Sequence, residues 1–213
     1  MGQERIYNEF HSLYYNSNIW SHQYWMGAKC MKSVFDSWNY QEIIFDMKPD
    51  LVIEIGTYNG GSSLMLSNFL QNANPNGKLI AVDISHELSR PYLHDVNGII
   101  MVEGDSLSSA VITQLQQYID KADKVFMLLD GEHRKHHVLQ EIIHLGGMLR
   151  KGDYLVVEDG NINGHPVLPG WGDGPYEAIQ EYFKFFPNNF KHDYDRERKF
   201  GFTFAPEGYL IKL

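Results

Sequence analysis

The sequence predicts an α/β sandwich built on a mostly parallel seven-stranded sheet, with an antiparallel C-terminal hairpin and an N-terminal helical segment. From residue 51 onward, short β-branched runs alternate with stretches of helical periodicity, the pattern of parallel strands joined by crossover helices. The runs are apolar on successive residues rather than on alternate ones, as expected for strands covered on both faces. They end in glycines or acids, the residue types that gather at the carboxyl edge of such a sheet.

In chain order, residues 8–47 carry aromatic and aliphatic residues at mixed three- and four-residue spacings (Phe35, Trp38, Ile43, Ile44), predicting helices with a break near Gly27. Pro49-Asp50 closes this region. Leu51-Val52-Ile53-Glu54-Ile55-Gly56 reads as a buried strand, and Ser62 to Leu70 as the helix after it. Strands Leu79–Asp83 and Ile99–Glu103, helix Ser109–Ile119, strand Val125–Asp130, helix Lys135–Leu149 and strand Tyr154–Glu158 come next. Residues 159–175 are rich in Gly, Pro and Asn and form a long loop before the helix Tyr176–Phe185; ordered loops of this length are often functional. The tail, FGFTFAPEGYLIKL, reads as two strands around Pro206-Glu207-Gly208.

The chain has 213 residues without internal repeat or linker, so one domain is expected over 1–213, with 1–48 as a helical substrate or assembly segment and 49–213 as the sheet core. Eighteen Lys+Arg against 27 Asp+Glu leave a net charge of −9, which disfavours nucleic acid and anionic lipid as partners. A small-molecule ligand is expected instead. One cysteine, Cys30, makes no internal disulfide, and no run approaches the ~20 apolar residues of a membrane helix. MGQERIYNEF lacks a signal-peptide apolar region, and Ile6 breaks the myristoylation pattern, so a soluble cytoplasmic protein is expected. Aromatics make up 14% of the residues. Packing and a pocket for a flat or sugar-like substrate both account for them; Tyr24, Trp25 and Trp171 are the stacking candidates, and a surplus near the N-terminus suggests a homo-oligomer.

Ligands of open α/β sheets bind beyond the carboxyl ends of the strands. After the first strand stands Gly56-Thr57-Tyr58-Asn59-Gly60-Gly61-Ser62, preceded by Glu54. The glycines allow a ligand to approach the backbone, and the amides opening the next helix can hold an anion. The spacing departs from GxGxxG and fits better the loop of S-adenosylmethionine-dependent methyltransferases. Asp83 ends the second strand, where a carboxylate can accept both hydroxyls of a ribose. Asp105, after the third, can accept an adenine amino group with Ser106 in support; either acid can also serve as a cap. Asp130 and the pair Glu158-Asp159 end the fourth and fifth strands. Three converging carboxylates need a cation or protons, and oxygen-only ligands suit Mg2+. A rival site is the i, i+4 pair His133/His137, for zinc or for the iron of a hydroxylase, but Arg134 stands where HExxH needs Glu.

With these residues in place, the chain resembles the cephalosporin hydroxylase family, a branch of the S-adenosylmethionine methyltransferases that includes sugar O-methyltransferases. The likeness is carried by Lys32…Asp36-Ser37-Trp38-Asn39-Tyr40-Gln41-Glu42, by Pro49-Asp50 through Ser62, by Leu129-Asp130-Gly131-Glu132-His133…His137, by Val157 through Pro166, and by Gly174-Pro175-Tyr176-Glu177-Ala178. The resemblance implies a Rossmann-like class I methyltransferase sandwich. It implies S-adenosylmethionine held by Glu54, Gly56, Thr57, Tyr58, Gly60, Ser62, Asp83, Ile84, Asp105, Ser106 and Asp130, and Mg2+ held by Asp130, Glu158 and Asp159. The reaction would be methylation of a small-molecule hydroxyl. Catechol-type enzymes carry a lysine three residues after the fourth-strand acid; His133 stands there, making it the first candidate base, with His165 the second. Val34 and Glu132 depart from the family's proline and aspartate. Two alternatives are a metal-dependent hydroxylase and a non-catalytic partner subunit that keeps the cofactor pocket.

Overall fold

The computed structural model describes residues 2–213. Helix α1 (Gly2–Asn16) leads through a 3-10 turn (Ile19–His22) to a two-stranded hairpin, β1 (Tyr24–Trp25) and β2 (Ala28–Lys29). The expected break near Gly27 is the tip of this hairpin. Met26 (φ 48°) and Gly27 (φ 91°) both take left-handed conformations, as a two-residue turn between antiparallel strands requires. The Trp25 indole N–H donates to Asn68 Oδ1 at 2.7 Å and its ring meets Phe69 edge-on, which fastens the hairpin to the main body.

Helix α2 (Val34–Met47) is followed by β3 (Leu51–Ile55), α3 (Gly61–Ala73), β4 (Lys78–Asp83), the single turn α4 (Arg90–Leu93), β5 (Ile99–Glu103), α5 (Ser109–Ile119), β6 (Val125–Leu129), α6 (Lys135–His144) and β7 (Tyr154–Val157). Then come α7 (Pro175–Phe185), β8 (Phe190–His192), α8 (Tyr194–Arg198) and β9 (Tyr209–Lys212). The seven-stranded sheet runs β5-β4-β3-β6-β7-β9-β8, parallel through β7 and antiparallel at β9 and β8. Side chains of β3 alternate between two cores. Leu51, Ile53 and Ile55 join the layer of α5, α6 and α7, whereas Val52 faces α2 and α3.

The antiparallel C-terminal pair exists with a different first member. Phe200–Phe204 form no strand; the partner of β9 is β8, and β9 lies between β7 and β8. The reason is a buried acid on α2. Asp36 accepts from the Phe204 amide at 2.9 Å, the Tyr209 hydroxyl at 2.7 Å and the Thr203 hydroxyl, so this backbone is bound by a side chain instead of a neighbouring strand. Phe202 and Phe204 then pack with Phe10, His11, Tyr14 and Phe35 in a cluster that ties α1 and α2 to the C-terminal segment. Much of the aromatic excess is spent here, on packing.

Candidate active site

Strand order reverses between β3 and β6, because β4 and β5 extend the sheet one way and β6 and β7 the other. This is where a crevice opens in sheets of this kind. One further ladder bond past each strand holds the first residue of the next loop: Gly56 N–H donates to Val82 O, Asp130 N–H to Ile55 O and Glu158 N–H to Leu129 O, at 2.8–3.0 Å. Gly56 takes φ 87°, and a Cβ there would stand 2.1 Å from the Asp130 carbonyl oxygen. Only glycine allows the loop to cross β6 so closely.

Beyond this crossing lies a cavity of about 430 Å³, within the range of small-molecule sites. Its wall includes nine predicted residues: Gly56, Thr57, Tyr58, Ser62, Asp83, Ile84, Asp105, Ser106 and Asp130. Tyr58 and Ile84 are exposed on its rim. Asp83 Oδ2 is occupied by the loop itself, accepting from the amides of Thr57 (2.8 Å) and Tyr58 (2.9 Å) and from the Thr57 hydroxyl, so one carboxylate both shapes the loop and faces the cavity. Asp105 is exposed and caps its own turn, Oδ1 accepting from the Leu107 amide at 2.8 Å.

Glu54 and Gly60 are not in the wall. The two-residue period of β3 turns Glu54 toward α3, where Ser63 donates to Oε2 and Oε1 has no partner among the described residues; burial pushes its carboxyl up to about 7. Gly60 (φ 81°) is the N-cap of α3 and is backed by Ser89 and Leu93.

At one end of the crevice, Asp130, His133 and Asp159 bring ligand atoms within 4.8 Å of one another, with His133 Nε2 3.3 Å from Asp159 Oδ2. Glu158 stands apart from this group. Its Oε1 accepts from the Tyr40 hydroxyl at 2.6 Å and meets the Lys32 ammonium at 3.3 Å. Lys32, from the segment before α2, also pairs with Asp130 and is almost fully buried. Sequence reasoning assigned it no role, although it opens the motif whose Asp36 and Tyr40 share one buried face of α2. Burial alone would lower the Lys32 ammonium, but Asp130, Glu158 and Glu54 more than reverse this and hold it charged well above the usual lysine range. Burial raises the carboxyls of Asp130, Glu158 (to about 7) and Asp159, with Lys32 and His133 opposing. One buried and two half-buried acids are thus only partly offset, and the two half-buried ones converge with an imidazole at ligand distance. Such a donor set fits a divalent cation.

His165 lies elsewhere. Its Nε2 is 2.9 Å from Glu177 Oε1 and its ring stacks on Tyr176 at 3.8 Å. Glu177 also accepts from Asn163 and from the Gly174 amide, closing the 159–174 loop onto the start of α7. Among the aromatic candidates, Tyr24 and Trp171 are exposed and Trp25 is committed to α3. Lys29, Met31, Asn59, Glu132 and Glu141 also line the cavity without having been given a role from the sequence, and His137, expected only as a rival metal ligand, stands in the wall with them.

Residues 17–213 match the family model described as Rhamnosyl O-methyltransferase/CmcI. Rhamnosyl O-methyltransferases of Mycobacterium tuberculosis and Mycobacterium leprae are each 45% identical over 210 residues, covering 98% of this chain and 86% and 91% of those proteins. A solved structure of CmcI with Mg and SAM superposes with a TM-score of 0.69 at 17% identity, over 91% of this chain and 77% of that one. MycE, solved in complex with Mg, SAH and mycinamycin VI, gives 0.52 at 20% identity, over 81% of this chain and 48% of that one. At these identities the two structures speak for the fold.

Proposed function

The chain belongs to the Rhamnosyl O-methyltransferase/CmcI family, and from that premise we propose that it methylates a hydroxyl of a sugar-bearing small molecule, using S-adenosylmethionine and a divalent cation such as Mg2+. The observation that carries this reading is the continuity of the crevice. A glycine-lined cavity, suited to a nucleoside through Asp83 and to an anion through the α3 amides, reaches Asp130, which belongs to the acid–imidazole cluster at its end.

S-adenosylmethionine would supply the methyl group on a sulfonium, a leaving group that needs no proton. A cation at Asp130 and Asp159 would lower the pKa of the acceptor hydroxyl. The chain's own residues do the rest. Gly56 lets the loop pass close against the Asp130 backbone, Asp83 fixes the loop amides, Tyr40 and Lys32 hold Glu158, and Lys32 orients Asp130. His133 takes the hydroxyl proton at Nε2, the nitrogen that stands 3.3 Å from Asp159 Oδ2 at the end of the crevice. Alignment of the acceptor with the methyl group supplies the remaining rate.

The test is methyl transfer to a panel of rhamnosides, with and without chelator, alongside calorimetry with S-adenosylhomocysteine. Asp130→Asn is expected to lose metal-dependent turnover while its affinity for S-adenosylhomocysteine stays within about tenfold of the parent. Unchanged methylation in that variant removes Asp130 from the mechanism. Iron binding without S-adenosylhomocysteine binding would instead favour the hydroxylase alternative, to which the imidazole in the donor set lends its one argument.

A further inference from the structure

The cavity wall holds a group that the reaction does not use. Glu141, on α6, is fully buried, and one face of its carboxylate is clamped: Oε1 accepts from the Ser106 hydroxyl at 2.7 Å and faces His137 Nε2 at 3.3 Å. Its other oxygen, Oε2, has no partner among the described residues. A buried carboxylate oxygen without a donor costs free energy unless something supplies an N–H or O–H. Asn59 Oδ1 is the other unpartnered buried oxygen among the described residues of this wall, but an amide can donate as well as accept. Glu141 can only accept when ionised.

Building on the proposed cofactor, we infer that Glu141 Oε2 accepts the amino group of the adenine and is the residue that makes the site specific for that base. Placement supports this over the other parts of the cofactor. The anionic carboxylate end belongs near the α3 amides, where the helix dipole favours it and where Glu141 does not repel it. The methyl group belongs beside Asp130. On the other side of the sulfonium Asp83 is placed for the ribose, which leaves the region beneath the end of β5, at Ser106, His137 and Glu141, for the base. Asp105, the acid that sequence order favours for this contact, is exposed and already caps a turn. Ser106 keeps a part in the contact, but through Glu141: it holds Oε1 and leaves Oε2 as the unpartnered acceptor of this wall residue.

The experiment compares, by calorimetry, binding of S-adenosylhomocysteine and of its purine analogue lacking only the 6-amino group. The wild-type protein is expected to prefer the amino compound by about 10- to 100-fold, the range of a hydrogen bond to a charged group. Glu141→Leu should bring the ratio close to one, whereas Asp105→Ala should preserve it. Equal wild-type affinities overturn the inference, and so does a preference that vanishes in Asp105→Ala but persists in Glu141→Leu. Should Glu141→Leu fail to fold, the wild-type ratio and its fate in Asp105→Ala still decide. Absence of wild-type binding to either compound is a different failure, that of the cofactor reading itself.

Discussion

Removing the Lys32 ammonium would leave the buried Glu158 and the half-buried Asp130 without their shared counterion. Lys32→Met is therefore expected to lower unfolding stability by about 3–5 kcal/mol, the usual cost of breaking a buried pair from one side, as read by urea titration. Added Mg2+ should raise the melting temperature of the variant more than that of the parent, because a cation at the remaining acids replaces part of the lost charge. An equal rise in both would separate Lys32 from the cation site. Asp130 and Asp159 were legible because they end strands, and His133 because it stands three residues past the first of them. Lys32 was not, since its partner Asp130 lies 98 positions away and a single lysine carries no local pattern. Glu54 was misplaced for a related reason: β3 is apolar on both faces, so nothing in Leu51–Ile55 announces which face an acid in its middle will take.

The loop between β7 and α7 is ordered by one carboxylate. Burial would raise Glu177, but hydrogen bonds from the Gly174 amide, His165 and Asn163 outweigh it and hold its carboxyl at about 2. The contribution is present above the ordinary carboxyl range and is lost as the pH falls through about 2. Glu177→Ala should raise amide exchange across 160–174 and cost about 1–3 kcal/mol, leaving β3 and β6 protected. Uniform loss of protection would deny the loop this clasp. His165 belongs to the clasp, and the composition of the loop signalled its length without revealing which side chains close it. Helix and strand order from β3 to β7 was readable because each parallel strand is a short apolar run. The tail was not, because Phe202 and Phe204 alternate as a strand would while Asp36 takes the backbone bond that a strand needs.

At the scale of the whole molecule, α1 is joined to the site from outside the family match, which begins at residue 17. His11 stacks on Phe202 and Phe204, and its Nε2 accepts from Asn161 at 2.9 Å, two residues past Asp159. Burial lowers its pKa from 6.5 to about 4. The fold thus favours the neutral ring: the docking is complete above about pH 6.5 and weakens as the pH falls toward 4, by about 3 kcal/mol in all. Near-ultraviolet circular dichroism should show the aromatic cluster loosening across that interval before far-ultraviolet signal is lost, and His11→Phe should shift the transition to lower pH. Coincident loss of both signals in parent and variant alike would refute it. The position of β9 bears on synthesis as well. A ribosome releases β7 well before the strand that pairs with it has been made, so the nascent chain carries an open hydrogen-bonding edge along the largely apolar Tyr154–Val157. Until the residues after Gly208 emerge, that edge is exposed to any neighbouring polysome product able to pair with it.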